Sequence, residues 1–290
     1  MIDEPLELSA PLARELAPKL CRRDPATGES CEWNHGFWQY LRLMGLAATP
    51  ADHAEFFEQA FQLVANENRN PRVLISGAVD YCMLAHLLAA LRKRHADPQV
   101  AVVDRCETPL WLNRWYAERM SLTIDTHCAD VLAYRSDEPF DALCTHGFLG
   151  FFSPHQRPVL LQLWRSLLRS GGLAITVNRM RSQAEGPRYA FSSEQAKAFR
   201  DTLLDRAARL PSSLRVAEQE LRDYADLYAL RKRSGYSVRS QEELSELFDR
   251  GGFQIERMTC SLRAESASAE QNASAKGGGT RYALIISRRL

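Results

Sequence analysis

Gly77 and Asp104 are spaced to hold a nucleoside. Each ends an apolar run: Val73-Leu74-Ile75 leads into the corner Ser76-Gly77-Ala78, and Val100 to Val103 leads into Asp104. Between them Met83, Leu84, Leu87, Leu88 and Leu91 recur at helical spacing. Strand, tight turn, helix, strand and acid in that order make a βαβ half-unit. Backbone N–H groups at the turn face a ligand, and a carboxylate at the next strand end accepts ribose hydroxyls. Gly77 permits the tight turn and a close approach of ligand to backbone.

Other residues with chemical potential sit at later strand ends. Thr145-His146-Gly147 follows the apolar stretch Phe140 to Cys144. His146, with an ordinary pKa of about 6.5, suits a general base; the alternative is a histidine that only hydrogen-bonds its loop. Asn178 and Arg179, with Arg181 behind them, follow Leu173 to Val177 and suit an anionic substrate group, or else pair with neighbouring helices. Trp33, His35, Phe37, Trp38 and Tyr40 form either a water-excluding lid or a packed core. Tyr189, Tyr224, Tyr228 and Tyr236 lie in or near a helical insertion suited to substrate selection.

The elements that carry these residues read as follows. Residues 1–68 are helical, with Gly45 and Pro50 as punctuation and Phe56, Phe57, Phe61 and Leu63 as one apolar face. From Pro71 strands alternate with helices: strands at 72–76, 99–103, 122–126, 140–144 and 173–177, helices at 80–94, 109–120 and 154–170. Gly171-Gly172 reads as the C-cap of the last of these helices. Residues 187–233 interrupt the rhythm with further helices. Ser192 to Gln195 and Ser240 to Glu243 read as capping boxes. Strands at 253–259 and 282–287 close the chain, joined by a Ser/Ala/Gly-rich stretch at 266–279 that reads as a mobile loop. This pattern predicts an α/β fold with a mainly parallel, doubly wound sheet.

Bulk properties narrow the function. The 290 residues hold 37 Lys+Arg against 36 Asp+Glu, which argues against a broad nucleic-acid footprint. No apolar run is long enough for a membrane span, and the acidic start does not resemble a secretory signal. Seven cysteines, an odd number without CxxC pairs, favour reduced thiols in the cytoplasm. The scattered histidines add no obvious ligand set, so no metal is expected.

Residues 71–290 resemble the class I S-adenosylmethionine-dependent methyltransferases. The resemblance rests on VLISGAVDY (73–81), VAVVDRCETPL (100–110), THCADVL (126–132) and the run from FDALCTHGFLGFF to LLRSGGLAITVNR (140–179). It implies a Rossmann-like, seven-stranded doubly wound sheet with an antiparallel C-terminal hairpin. An N-terminal helical cap (1–68) and a helical insertion after the fifth strand would be added to it. It implies S-adenosylmethionine as cofactor and methyl transfer to an N or O nucleophile of a small molecule. Gly77, Ala78, Asp80, Arg105, Val131 and Thr145 would line the cofactor, with Asp104 on ribose and Asp130 on adenine. His146 and Tyr81 would be catalytic; Trp38, Tyr40, Asn178, Arg179 and Tyr189 would meet the substrate. The chain departs from the family where Ile75 replaces an acid and Val79 and Tyr81 replace glycines. Those positions lie by the methionine moiety. They keep open an enzyme that uses the cofactor's aminocarboxypropyl chain instead, and also a non-catalytic binding protein.

Overall fold

The structure is a computed structural model that describes residues 2–24, 28–181, 191–231, 235–262 and 281–290. It opens with helices α1 (Leu6–Leu20), α2 (Glu32–Leu43) and α3 (Ala54–Glu67). Then follow β1 (Arg72–Ser76), α4 (Cys82–Arg92), β2 (Gln99–Asp104), α5 (Glu107–Arg119) and β3 (Asp125–Cys128). Next come β4 (Phe140–His146), α6 (Gln156–Leu167) and β5 (Leu168–Met180). Helices α7 (Ser193–Ala207), α8 (Glu218–Arg231) and α9 (Gln241–Arg250) precede β6 (Phe253–Leu262) and β7 (Arg281–Arg289).

The seven strands form one sheet in the order β3-β2-β1-β4-β5-β7-β6. The first five are parallel, and β7 runs antiparallel between β5 and β6. The winding direction reverses between β1 and β4, which opens a crevice at their C-terminal ends. Val73–Ile75 of β1 and Val100–Val103 of β2 are uninterrupted apolar runs because both faces of the sheet are covered there. Val73, Ile75, Val100, Val102, Cys144, Ile175 and Val177 pack on one face with α3, α4 and α5. Leu74, Ala101, Val103, Leu143 and Ala174 pack on the other with α6 and α9. A third core joins α1 and α2 to α7 and α8 through Ala10, Tyr40, Leu41, Phe199, Leu203, Tyr224 and Tyr228. Phe37 and Tyr224 stack there at 4.5 Å. Helix α3 instead puts Phe56, Phe57 and Phe61 into the core beside the sheet.

Three local readings change. β3 begins at Asp125, later than expected; Leu122 and Ile124 pack against the α4–α5 core in the segment before it. Helix α6 ends at Leu167, so Gly171-Gly172 is not its C-cap. The pair lies inside β5, where Gly171 has φ +74° and the register to β4 shifts. A Cβ on Gly172 would sit 2.9 Å from the Arg169 carbonyl oxygen, so only glycine fits. The Ser192 capping box is complete, its hydroxyl accepting from the Gln195 N–H at 3.2 Å. At Ser240 the hydroxyl accepts from the Glu243 N–H, but the Glu243 carboxylate turns to Arg157 and the Arg239 N–H. The stretch 266–279 lies outside the described residues. Among those described, no helix is long and apolar enough to cross a membrane.

Candidate functional site

The turn after β1 and the end of β2 are tied by one carboxylate. Asp104 Oδ2 accepts from the Ala78 N–H at 3.0 Å, and Oδ1 accepts from the Cys106 N–H at 2.8 Å. The Gly77 N–H donates to the Val103 carbonyl at 2.9 Å. Each Asp104 oxygen retains acceptor capacity for a further donor. Burial pushes this carboxyl up to about 6, against the lowering effect of His35 and the two N–H donors. The corner thus gathers Gly77, Ala78 and Asp104 as expected from their spacing.

Gly77 has φ +74°, and a Cβ there would overlap the Phe148 ring. Phe148 follows Gly147 on the β4 side and packs edge-on against Phe152 at 5.0 Å. The glycine therefore serves both the backbone conformation and a close aromatic contact. Gly77→Ala should cost about 1–2 kcal/mol from the left-handed backbone alone and displace Phe148. Urea unfolding checks the first effect, and a loss below about 0.5 kcal/mol would contradict the geometry.

Asp80 and Tyr81 do not face this corner. Asp80 Oδ2 accepts from Arg42 at 2.7 Å, and Oδ1 accepts from the Cys82 N–H at 2.9 Å. Arg42 also binds Glu4, so helix α2 and the N-terminus clamp the turn through a buried ion triad. Tyr81 is fully buried, shares a hydrogen bond with the Ser9 hydroxyl at 2.9 Å and stacks on Tyr116 at 4.6 Å. Burial raises its phenol pKa. Its geometry is that of a core residue fastening α1, without access to a reacting group.

Past the end of β3, on the β2 side of the crevice, Asp130 caps the turn Val131–Ala133 by accepting from the Leu132 N–H at 2.9 Å. It lies exposed beside Arg105, with Nε 3.8 Å away, while Val131 is buried. Glu107 pairs with Arg114.

Strand alternation splits the β4 and β5 ends between two faces. His146 continues the α3 face, where its ring lies 5.6 Å from His53 and 6.3 Å from Tyr282. Arg179 pairs in register with Tyr282 and so shares that face. His53 and Tyr282 had no signal in the sequence beyond their residue types. On the opposite face lie Ser76, Thr145 and Asn178, buried side chains with Ser76 Oγ, Thr145 Oγ1 and Asn178 Oδ1 unpartnered among the described residues. Trp38 and Tyr40 belong to the helical cap: Tyr40 is core, and Trp38 packs beside it with its buried indole N–H unpartnered among the described residues. Tyr189 lies outside the described residues.

Sequence reasoning missed one cluster. Cys21 at the end of α1, Cys31 before α2, His35 one turn later and Cys106 before α5 place their donor atoms within 4.8 Å of one another. Hydrogen bonding with Cys21 and Cys31 pushes the Cys106 thiol down, against the effect of burial. The available signal was Cys31 and His35 spaced i, i+4, which puts both on one helix face.

No protein-family model and no curated protein matches the sequence. Solved structures do match the fold. A putative sarcosine dimethylglycine methyltransferase from Galdieria sulphuraria aligns at TM-score 0.54 and 10% identity, covering 82% of this chain and 84% of that one. The 1,6-didemethyltoxoflavin-N1-methyltransferase of Burkholderia thailandensis, with S-adenosylhomocysteine bound, aligns at 0.51 and 16%, covering 81% and 78%. The [4+2]-cyclase SpnF aligns at 0.50 and 15%, covering 80% of each. The chain has the class I S-adenosylmethionine-dependent methyltransferase fold.

Proposed function

We propose that this chain is an S-adenosylmethionine-dependent methyltransferase that acts on an N or O nucleophile of a small molecule in the cytoplasm. The observation that carries the reading is the Gly77–Ala78–Asp104 corner at the sheet's switch point. The residues present fit the nucleoside part of the cofactor. Asp104 keeps acceptor capacity for two hydroxyls, and the exposed Asp130 offers a carboxylate to the adenine amine. The unpartnered Thr145 and Ser76 hydroxyls at the strand ends give buried polar groups in need of partners. Bound there, the cofactor supplies an electrophilic methyl group. Phe148 packs on Gly77, so its ring must swing aside for a ligand to approach that glycine.

The chain's own residues then position the acceptor. His146 stands at the C-terminal end of β4, and its imidazole takes the proton released by the nucleophile. Arg179, on the same face, binds an anionic group of the acceptor. The cap built from α1, α2, α7 and α8 limits the acceptor's size and excludes water, with Trp38 as a buried donor. In-line placement supplies much of the rate, so His146 adds to positioning rather than replacing it. A formal net charge of +1 supports a metabolite over a nucleic acid as substrate.

A second reading has one observation in its favour. Asp80 and Tyr81, expected beside the methionine moiety, are engaged with Arg42 and Ser9 instead. That rebuilt side suits an enzyme in which the aminocarboxypropyl chain reacts. SpnF, a cyclase of similar fold, is a precedent for other chemistry on this scaffold. Incubating the protein with S-adenosylmethionine alone and analysing products by mass spectrometry separates the two. S-adenosylhomocysteine, formed only when an acceptor is added, supports methyl transfer; methylthioadenosine without any acceptor would sink it.

A further inference from the structure

We propose that Cys21, Cys31, His35 and Cys106 form a tetrahedral zinc site that fastens the N-terminal helices to the β2–α5 turn. This inference does not rest on the methyltransferase reading.

The distances suit a metal. Cys21 Sγ lies 3.4 Å from His35 Nδ1 and 3.4 Å from Cys106 Sγ, and Cys31 Sγ lies 3.6 Å from Cys106 Sγ. Zinc–sulfur bonds of about 2.3 Å and zinc–nitrogen bonds of about 2.0–2.1 Å in a tetrahedron set sulfurs about 3.8 Å apart and sulfur to nitrogen about 3.6 Å. These three pairs lie close to that spacing, and all four donors lie within 4.8 Å of one another. All seven cysteines are free thiols, so no disulfide explains the convergence.

The surroundings suit a closed, structural site. Cys21, His35 and Cys106 are each at most 8% exposed, and Cys31 is half-buried. Three soft sulfurs and one imidazole select zinc over magnesium or calcium. With three thiolates and a neutral imidazole, the bound ion leaves a net charge of −1. Thr108 Oγ1 lies 3.1 Å from Cys21 Sγ, and the Cys106 N–H holds Asp104, so neighbouring groups orient two of the ligands. Four protein ligands leave no open position, which assigns the ion to structure rather than catalysis. The ligands come from the ends of three helices: the C-terminus of α1, the N-terminus of α2 and the N-terminus of α5. One ion therefore joins segments that are distant in sequence.

The chain, purified with reductant and loaded with zinc, should carry one zinc per chain by elemental analysis. Replacement by cobalt(II) should give the visible absorption bands of a tetrahedral thiolate complex, a readout on wild type that needs no variant to fold. Cys31→Ser and His35→Ala should each lose stoichiometric metal, while Cys128→Ser, exposed and outside the cluster, should keep it. Chelation should lower the Tm by roughly 5–10 °C, reversibly on adding zinc. The proposal is overturned if the reduced wild-type chain takes up neither zinc nor cobalt, or if both ligand variants retain one metal per chain. A disulfide among the three cysteines in place of metal would overturn it as well.

Discussion

Arg42→Ala should destabilise the protein by about 3–5 kcal/mol, the usual cost of leaving buried charges without their partner. The Arg42 side chain is 4% exposed and its partners Asp80 and Glu4 are 1% and 16% exposed. Burial opposes the guanidinium's charge, but the negative groups around it outweigh that effect and raise its pKa. Removing the arginine leaves two carboxylates in that environment with no countercharge. It also releases the link between α2, the N-terminus and the turn that carries Gly77. Urea unfolding measures the effect. Arg222→Ala provides the comparison: that arginine pairs with Glu218 on an exposed helix face, where such pairs contribute about 0.3–0.5 kcal/mol. If the two variants lose similar stability, the triad is not the anchor described.

Asp104→Ala should weaken S-adenosylmethionine binding about 10- to 150-fold. Loss of a hydrogen bond to a charged group costs about 1.5–3 kcal/mol, and each 1.36 kcal/mol is a factor of ten. The same change strands the Ala78 and Cys106 N–H groups, so stability should fall too, by about 1–3 kcal/mol. Asp104→Asn separates the effects, because an amide oxygen still accepts one backbone N–H while the charge is lost. Calorimetric titration gives the affinity and thermal unfolding gives the stability. Unchanged affinity in a folded Asp104→Ala variant would remove the carboxylate from the site.

What the sequence disclosed follows from how local each signal was. β1, β2 and the corner between them were legible because strands buried on two faces read as apolar runs. Gly77 and Asp104 then mark the strand ends directly. His146 and Arg179 were placed on candidate strand ends for the same reason. Asp80 and Tyr81 were misread because their partners come from far away: Arg42 is 38 residues from Asp80, and Ser9 is 72 from Tyr81. Nothing beside either residue announces those contacts. The Gly171-Gly172 pair looked like a helix end, but a close carbonyl contact inside β5 explains it instead. The thiol cluster was hidden by distance as well, since Cys106 is 85 residues from Cys21. Only tertiary folding turns four scattered residues into one set.

The most direct test of the central claim is calorimetric titration of the protein with S-adenosylmethionine and S-adenosylhomocysteine. Both should bind at a single site, and both should be weakened at least tenfold by Asp104→Ala. Absence of binding to folded wild-type protein would contradict the account.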